Sequence, residues 1–109
     1  MLTRKCYEIA DAIFYNEEKI PDKMLYIERV MLSCVTREQL DSAYKWGKRV
    51  ITDVYGMVSR RLAKYDSPEY IRISSRFLRN VTAVEAQIER YYNEKSRELS
   101  NGKEEGKTA

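Results

Sequence analysis

The clearest secondary-structure pattern lies in residues 36–65, which read TREQLDSAYKWGKRVITDVYGMVSRRLAKY. The first four, Thr36-Arg37-Glu38-Gln39, form a capping-box pattern, in which the Thr hydroxyl and the Gln side chain satisfy backbone amides at the start of a helix. Apolar side chains then recur at three- and four-residue spacing and define one face: Leu40, Ala43, Tyr44, Gly47, Val50, Ile51, Val54, Val58, Leu62 and Tyr65. This pattern predicts a single amphipathic helix of about 45 Å.

A second long helix is predicted directly after the first. Pro68 cannot continue the incoming helix but fits the first turn of the next, with Ser67 as its N-cap. The predicted apolar face, up to about Leu99, reads Ile71, Ser74, Leu78, Val81, Val84, Ile88 and Tyr91, with Phe77 and Tyr92 beside it. Residues 100–109, SNGKEEGKTA, lack the apolar side chains that would offset the entropy of ordering. We therefore predict one helical domain over residues 1–99 and a disordered tail over 100–109.

Two shorter helices precede the long pair. The first runs from Leu2 to about residue 16 and the second from Pro21 to about residue 34, and their apolar positions are Leu2, Cys6, Ile9, Ala10, Ile13 and Phe14, then Met24, Ile27, Val30, Met31 and Cys34. The links at 16–21, 35–36 and 66–67 are short, which favours antiparallel neighbours. The predicted fold is all-α, with four antiparallel helices: a short N-terminal helical hairpin packed on a long helical hairpin.

This arrangement predicts where the short helices pack. The first is expected against residues 84–91 and the second against residues 40–51, which leaves the apolar face of residues 54–80 without a third element to cover it. The long hairpin is then straight and protruding, and self-association or a partner completes its far half. The alternative is a bend at Gly56, where a glycine in a helix interior costs about 1 kcal/mol relative to alanine, so that the tip folds back onto the bundle.

The composition limits the chemistry that the chain can perform. Among 109 residues there are 20 Lys+Arg, 17 Asp+Glu and no His, so the commonest general base and zinc ligand are absent. The sequence has no phosphate-binding glycine loop, no signal peptide and no apolar run of about 18 residues that would span a membrane. We predict a protein that is not an enzyme, holds no metal or cofactor and does not enter a membrane.

Two cysteines are too few for a disulfide framework, which favours a reducing compartment and hence the cytoplasm. In the predicted short hairpin, Cys6 and Cys34 fall in the same layer. The two side chains are either small core residues or a redox-linked pair or half of a metal site.

Positive charge concentrates at the tip of the long hairpin. The candidate partner-binding residues are Arg60, Arg61 and Lys64 before the turn, Arg72, Arg76 and Arg79 after it, and the flanking Tyr65 and Tyr70. Arginine forms bidentate hydrogen bonds with phosphate and carboxylate alike, so this set predicts a docking face for phosphates or for an acidic protein surface. The alternative is an ordinary solvated face of two long helices.

A second basic patch interleaves Lys45, Lys48 and Arg49 with Tyr44, Trp46 and Tyr55. Trp46, the single tryptophan, is either a boundary core residue under the first two helices or an exposed anchor of the kind found at binding hot spots.

The stretch SCVTREQLDSAY, residues 33–44, resembles the helix-turn-helix junction of small helical accessory proteins of tailed bacteriophages. The resemblance implies a small protein that is made in a bacterial host and acts by binding a host protein. We predict a non-enzymatic helical interaction protein that binds and modulates a protein partner. The alternatives are a nucleic-acid-binding protein that contacts phosphates through Arg60, Lys64, Arg72, Arg76 and Arg79, and a structural homo-oligomer that self-assembles through the long hairpin.

Overall fold

Four α-helices form the chain in its computed structural model, which describes the backbone of residues 2–108 and the side chains of residues 3–101. Helix α1 spans Leu2–Ala12, α2 Ile20–Leu32, α3 Arg37–Arg61 and α4 Ser67–Thr108. A π-helical turn follows α1 and a 3-10 turn follows α3. Residues 2–108 contain no strand, and the predicted all-α class is confirmed.

Helix α3 begins and continues as its sequence predicts. The Gln39 amide donates to the Thr36 hydroxyl at 3.1 Å, and the Gln39 side-chain carbonyl accepts from the Thr36 amide at 3.4 Å, which completes the capping box. The helix passes through Gly47 and Gly56 without a break, so the alternative with a bend at Gly56 is wrong. Its buried face is Leu40, Ala43, Gly47, Ile51, Val54 and Val58.

The first turns of α4 bury a different face from the predicted one. Ile73 and Phe77 are fully buried, whereas Ile71 is 60% exposed and Leu78 is 45% exposed. The prediction of Ile71 and Leu78 as core residues is wrong, because this segment carries apolar side chains on two different sides and the side with the Phe77 ring takes the core. From Val81 onward the predicted and observed faces agree.

Helices α1 and α2 do not form a hairpin, which corrects the predicted arrangement of the short helices. Asp11 binds Arg76 and Asn80, and the Phe14 ring meets Phe77 at 6.1 Å between centroids. Farther along, Met24 lies with Val84 and Tyr91 around one cleft. Along these contacts the residue numbers increase in the same direction in the N-terminal segment and in α4. Helices α1 and α2 therefore follow one another along α4 and run parallel to it. The predicted packing of the first helix against residues 84–91 is therefore wrong.

The junction between α1 and α2 continues the chain direction instead of reversing it. The Glu18 amide donates to the Ile13 carbonyl at 2.8 Å, which closes a π-helical turn over Ile13–Glu17. Lys19 then takes the left-handed conformation at φ 48 and ψ 51, and α2 starts at the next residue. Only Glu18 and Lys19 separate the two helical segments. Phe14 and Ile20, on either side of them, are both buried.

Placing α1 at the far end of the hairpin covers the face that was expected to be bare. Val58, Leu62 and Ile73 are at most 2% exposed, in one core cluster with Cys6 and Ala10 of α1. The prediction that residues 54–80 lack a covering element is wrong, and the hairpin does not protrude. Burial of apolar area accounts for the arrangement, because a returning α1 would leave these side chains in water.

The same arrangement separates the two cysteines. Both thiols are free and buried, but Cys6 lies in α1 at the tip end and Cys34 follows α2 beside Gln39 and Ala43, so the predicted common layer is wrong. At the other terminus, Ser100 and Asn101 continue α4. The remainder of the predicted tail, residues 102–109, lies outside the residues whose side chains are described.

Candidate docking surface at the hairpin tip

Three of the predicted arginines share one cleft. Arg72, Arg76 and Arg79 line a depression of about 140 Å³ on α4, together with Tyr7 of α1. Their spacing of four and three residues places them on one side of the helix. Helix α1 lies next to that side of α4. It therefore contributes Tyr7, a residue from the N-terminal end of the sequence, to this surface.

Arg76 holds α1 in place. Its Nε and Nη2 atoms donate to the two carboxylate oxygens of Asp11 at 3.1 and 3.3 Å, and the Asn80 side-chain amide donates to the same carboxylate at 3.1 Å. The hydrogen bonds from Arg76 are the main reason that the pKa of Asp11 lies below its usual value, against the opposing effect of burial. The guanidinium also lies 5.3 Å from the centre of the Tyr7 ring. Arg76 therefore fixes α1, with Tyr7, beside the cleft. Its positive charge is compensated by the Asp11 carboxylate.

Arg61 is directed away from this cleft. Its guanidinium donates to Glu18 at 3.1 Å and also binds Glu17, at the junction between α1 and α2. Both carboxylates come from the N-terminal segment, so Arg61 and Arg76 tie that segment to α3 and α4 respectively. The expectation that all six basic side chains converge on one surface is not met, because two of them are held by acidic residues of the N-terminal segment.

The other predicted residues remain outside the cleft. Arg60 and Lys64 are exposed on the last turns before the hairpin turn, and the Lys64 ammonium lies 5.2 Å from the centre of the Tyr65 ring. Tyr65 and Tyr70 are half-buried and pack against the core. Within the described residues no carboxylate lies at ion-pair distance from Arg60, Lys64, Arg72 or Arg79.

Sequence reasoning missed the apolar part of this surface. Ile71 and Leu78 are seven residues apart, as are Arg72 and Arg79, so the two pairs run side by side along α4. Their exposure is large for aliphatic side chains, and Tyr7, which lines the cleft together with Ile71, is 42% exposed. The signal was in the sequence, since Arg72 and Arg79 border the stripe that contains Ile71 and Leu78. We define the tip patch as Tyr7, Ile71, Arg72, Ser75, Leu78 and Arg79.

The second basic patch is divided between two faces of α3. Tyr44 donates to the Glu89 carboxylate, and Lys48 lies 3.4 Å from the same group, which connects α3 to α4. This contact raises the pKa of Tyr44 and lowers that of Glu89. Tyr55 stacks on Phe77 with 6.2 Å between ring centroids, so it belongs to the core. Trp46 lies on the other side, against Tyr26 of α2.

The described part of the chain shows neither a metal centre nor a membrane-spanning helix. There, no three His, Cys, Asp or Glu side chains are grouped to bind a metal ion, and none of the helices has a stretch long and apolar enough for a bilayer. No protein-family model, curated protein or solved structure matches the sequence or fold of this chain.

Proposed function

We propose that this chain is a non-enzymatic interaction protein that binds an acidic surface of a protein partner through the tip patch. The observation that supports it most is the exposure of Ile71 and Leu78 beside Arg72 and Arg79. Exposed aliphatic side chains with arginine and tyrosine next to them are typical of binding surfaces, because apolar burial supplies affinity and the charges supply orientation.

Two features narrow the kind of partner that we propose. Among residues 3–101, no carboxylate lies at ion-pair distance from Arg72 or Arg79, so both are available to acidic residues of another protein. The resemblance of residues 33–44 to phage accessory proteins supports a bacterial host protein as the partner, modulated or inhibited by the contact. The buried free thiols of Cys6 and Cys34 fit a cytoplasmic location.

The test compares proteins retained from bacterial lysate by three forms of the full chain. One is the wild type, the second carries Arg72→Glu and Arg79→Glu, and the third carries Arg90→Glu and Arg97→Glu. The control pair has the same seven-residue spacing on the same helix, and both residues are exposed. We expect a protein that the wild type and the control retain and that the tip variant loses at least tenfold. If all three retain the same proteins equally, the proposal is wrong.

Nucleic acid is the second candidate, and it is favoured over self-assembly because no carboxylate of residues 3–101 lies at ion-pair distance from Arg60, Lys64, Arg72 or Arg79. Phosphate contacts by four cations predict a steep loss of affinity with salt. Retained proteins that disappear after nuclease treatment, together with salt-sensitive binding of a random-sequence duplex by the wild type and not by the tip variant, would replace the protein partner by nucleic acid.

A further inference from the structure

A second surface lies on the side of the molecule where α2 packs on α3. Tyr26 of α2 and Trp46 of α3 meet edge to face, with ring centroids 5.7 Å apart and planes at 75°. Both rings reach solvent, since Tyr26 is 61% exposed and Trp46 is 36% exposed. We call this pair the aromatic ridge. Large aromatic side chains that stay exposed are the residues most enriched at the energetic centres of protein interfaces.

The aromatic ridge stands between two depressions. Trp46 lines both: one of about 330 Å³, where it faces Val50, and one of about 380 Å³, where it faces Ala43. Ala43 and Val50 are seven residues apart on α3, so the two depressions are about 10.5 Å apart along the helix axis. The same distance separates side chains i and i+7 of any α-helix. A helix laid along the α2–α3 groove therefore places one apolar side chain in each depression.

The rim of this groove carries an excess of positive charge. Lys19 and Lys23 line the 330 Å³ depression together with one carboxylate, Asp22. Lys45 and Arg49 flank Trp46 within one helical turn and are exposed. Within the described residues none of these four cations lies at ion-pair distance from a carboxylate. The charge complements an acidic partner.

From these observations we infer that the α2–α3 groove binds an acidic amphipathic helix of a partner protein, with two large apolar side chains seven residues apart on either side of Trp46. The inference is independent of the tip patch, which lies on α1 and α4. A protein with both surfaces joins two partners, or two parts of one partner. The larger cleft between α2 and α4, about 480 Å³, carries one charged residue, Glu28, and offers no such complementarity.

The test uses a displayed library of helical peptides that is selected against the full chain. Peptides that bind are expected to carry net negative charge and large apolar residues at positions i and i+7. They should bind the Lys45→Glu/Arg49→Glu variant at least tenfold more weakly than the wild type. The Arg90→Glu/Arg97→Glu variant, with an equal change in net charge, should bind them as the wild type does.

Trp46 is the only tryptophan, so its fluorescence reports directly on the groove. The selected peptides should shift its emission to shorter wavelength, in the wild type and in the Arg72→Glu/Arg79→Glu variant alike, which separates this surface from the tip patch. The inference is overturned if no peptide is enriched, if the enriched peptides lack acidic excess or the i, i+7 anchors, or if Lys45→Glu/Arg49→Glu binds them equally. Quenching by a single-stranded dT20 oligonucleotide without any peptide binding would also overturn it.

Discussion

Gly47 lies where α2 packs closely on α3. A Cβ atom at this position would lie 2.7 Å from Cγ2 of Ile27, a side chain that is 1% exposed. Gly56 is nine residues later in the same helix, and a Cβ atom there would lie no closer than 3.8 Å to another side chain, at the end of Arg60. One glycine therefore has a packing role, and the other has only the conformational disadvantage of glycine in a helix.

We expect opposite effects from alanine at these two positions. Gly47→Ala forces α2 away from α3 and lowers the free energy of unfolding by about 1–3 kcal/mol. Gly56→Ala raises it by about 0.5–1 kcal/mol, because alanine is the better helix former. Urea unfolding followed by helical circular dichroism measures both. Equal effects of the two variants would show that α2 and α3 are not in close contact at Ile27.

Asp11 gives the fold a dependence on pH. Because hydrogen bonds from Arg76 lower the pKa of Asp11 in the folded protein, the ionised carboxylate stabilises the fold. That contribution is complete above the unfolded pKa of about 3.9 and is lost as the pH falls through the lower folded pKa. Asp11→Asn should therefore be less stable than the wild type at pH 7, and the difference should shrink below about pH 4. A difference that is constant from pH 7 to pH 3 would contradict the ion pair.

The face that α4 buries can be tested by comparing alanine substitutions at two isoleucines. Ile73 is fully buried and Ile71 is 60% exposed, although they are two residues apart. Ile73→Ala should lower the free energy of unfolding by about 2–5 kcal/mol, through lost burial and the cavity that remains. Ile71→Ala should change it by less than about 0.5 kcal/mol. Denaturant unfolding of the two variants decides the register, and the reverse order of effects would restore the face predicted from the sequence.

The elements differ in how far the sequence predicts them, and the reasons are physical. Helix α3 has a capping box at Thr36 and one apolar stripe, so both its start and its buried face follow from spacing alone. The first turns of α4 have two candidate stripes, headed by Ile71 and by Ile73, and spacing does not choose between them. The choice comes from the tertiary contact of Phe77 with Phe14. The direction of α1 depends on a π turn and on Lys19 at positive φ, for which these residue types give no local signal.

For the docking surface, the sequence predicted which basic residues lie near the tip, but not which of them share a surface and which are paired with acidic residues. Arg72, Arg76 and Arg79 share a helix face, so their proximity follows from spacing. The contacts of Arg61 with Glu17 and Glu18, and of Arg76 with Asp11, join segments more than 40 residues apart, and nothing local encodes them.

At the scale of the whole molecule, the chain is a rod of 63 × 21 × 19 Å. Helix α4, with 42 residues, accounts for the full length at 1.5 Å per residue. The other helices lie along it: α3 antiparallel, and α1 followed by α2 parallel. The tip patch then lies at the edge between α1 and α4, and the aromatic ridge lies between α2 and α3, so the two surfaces face different sides of the rod.

The placement of α1 on the far half of the hairpin determines both the core and the tip patch, because it buries that half and brings Tyr7 to the patch. The most direct measurement is a ¹³C- and ¹⁵N-edited NOESY spectrum of the full chain. We predict cross-peaks between the rings of Phe14 and Phe77, and between the Asp11 side chain and the Asn80 amide. Cross-peaks from residues 6–14 to residues 84–91, with none to residues 72–80, would contradict this placement of α1.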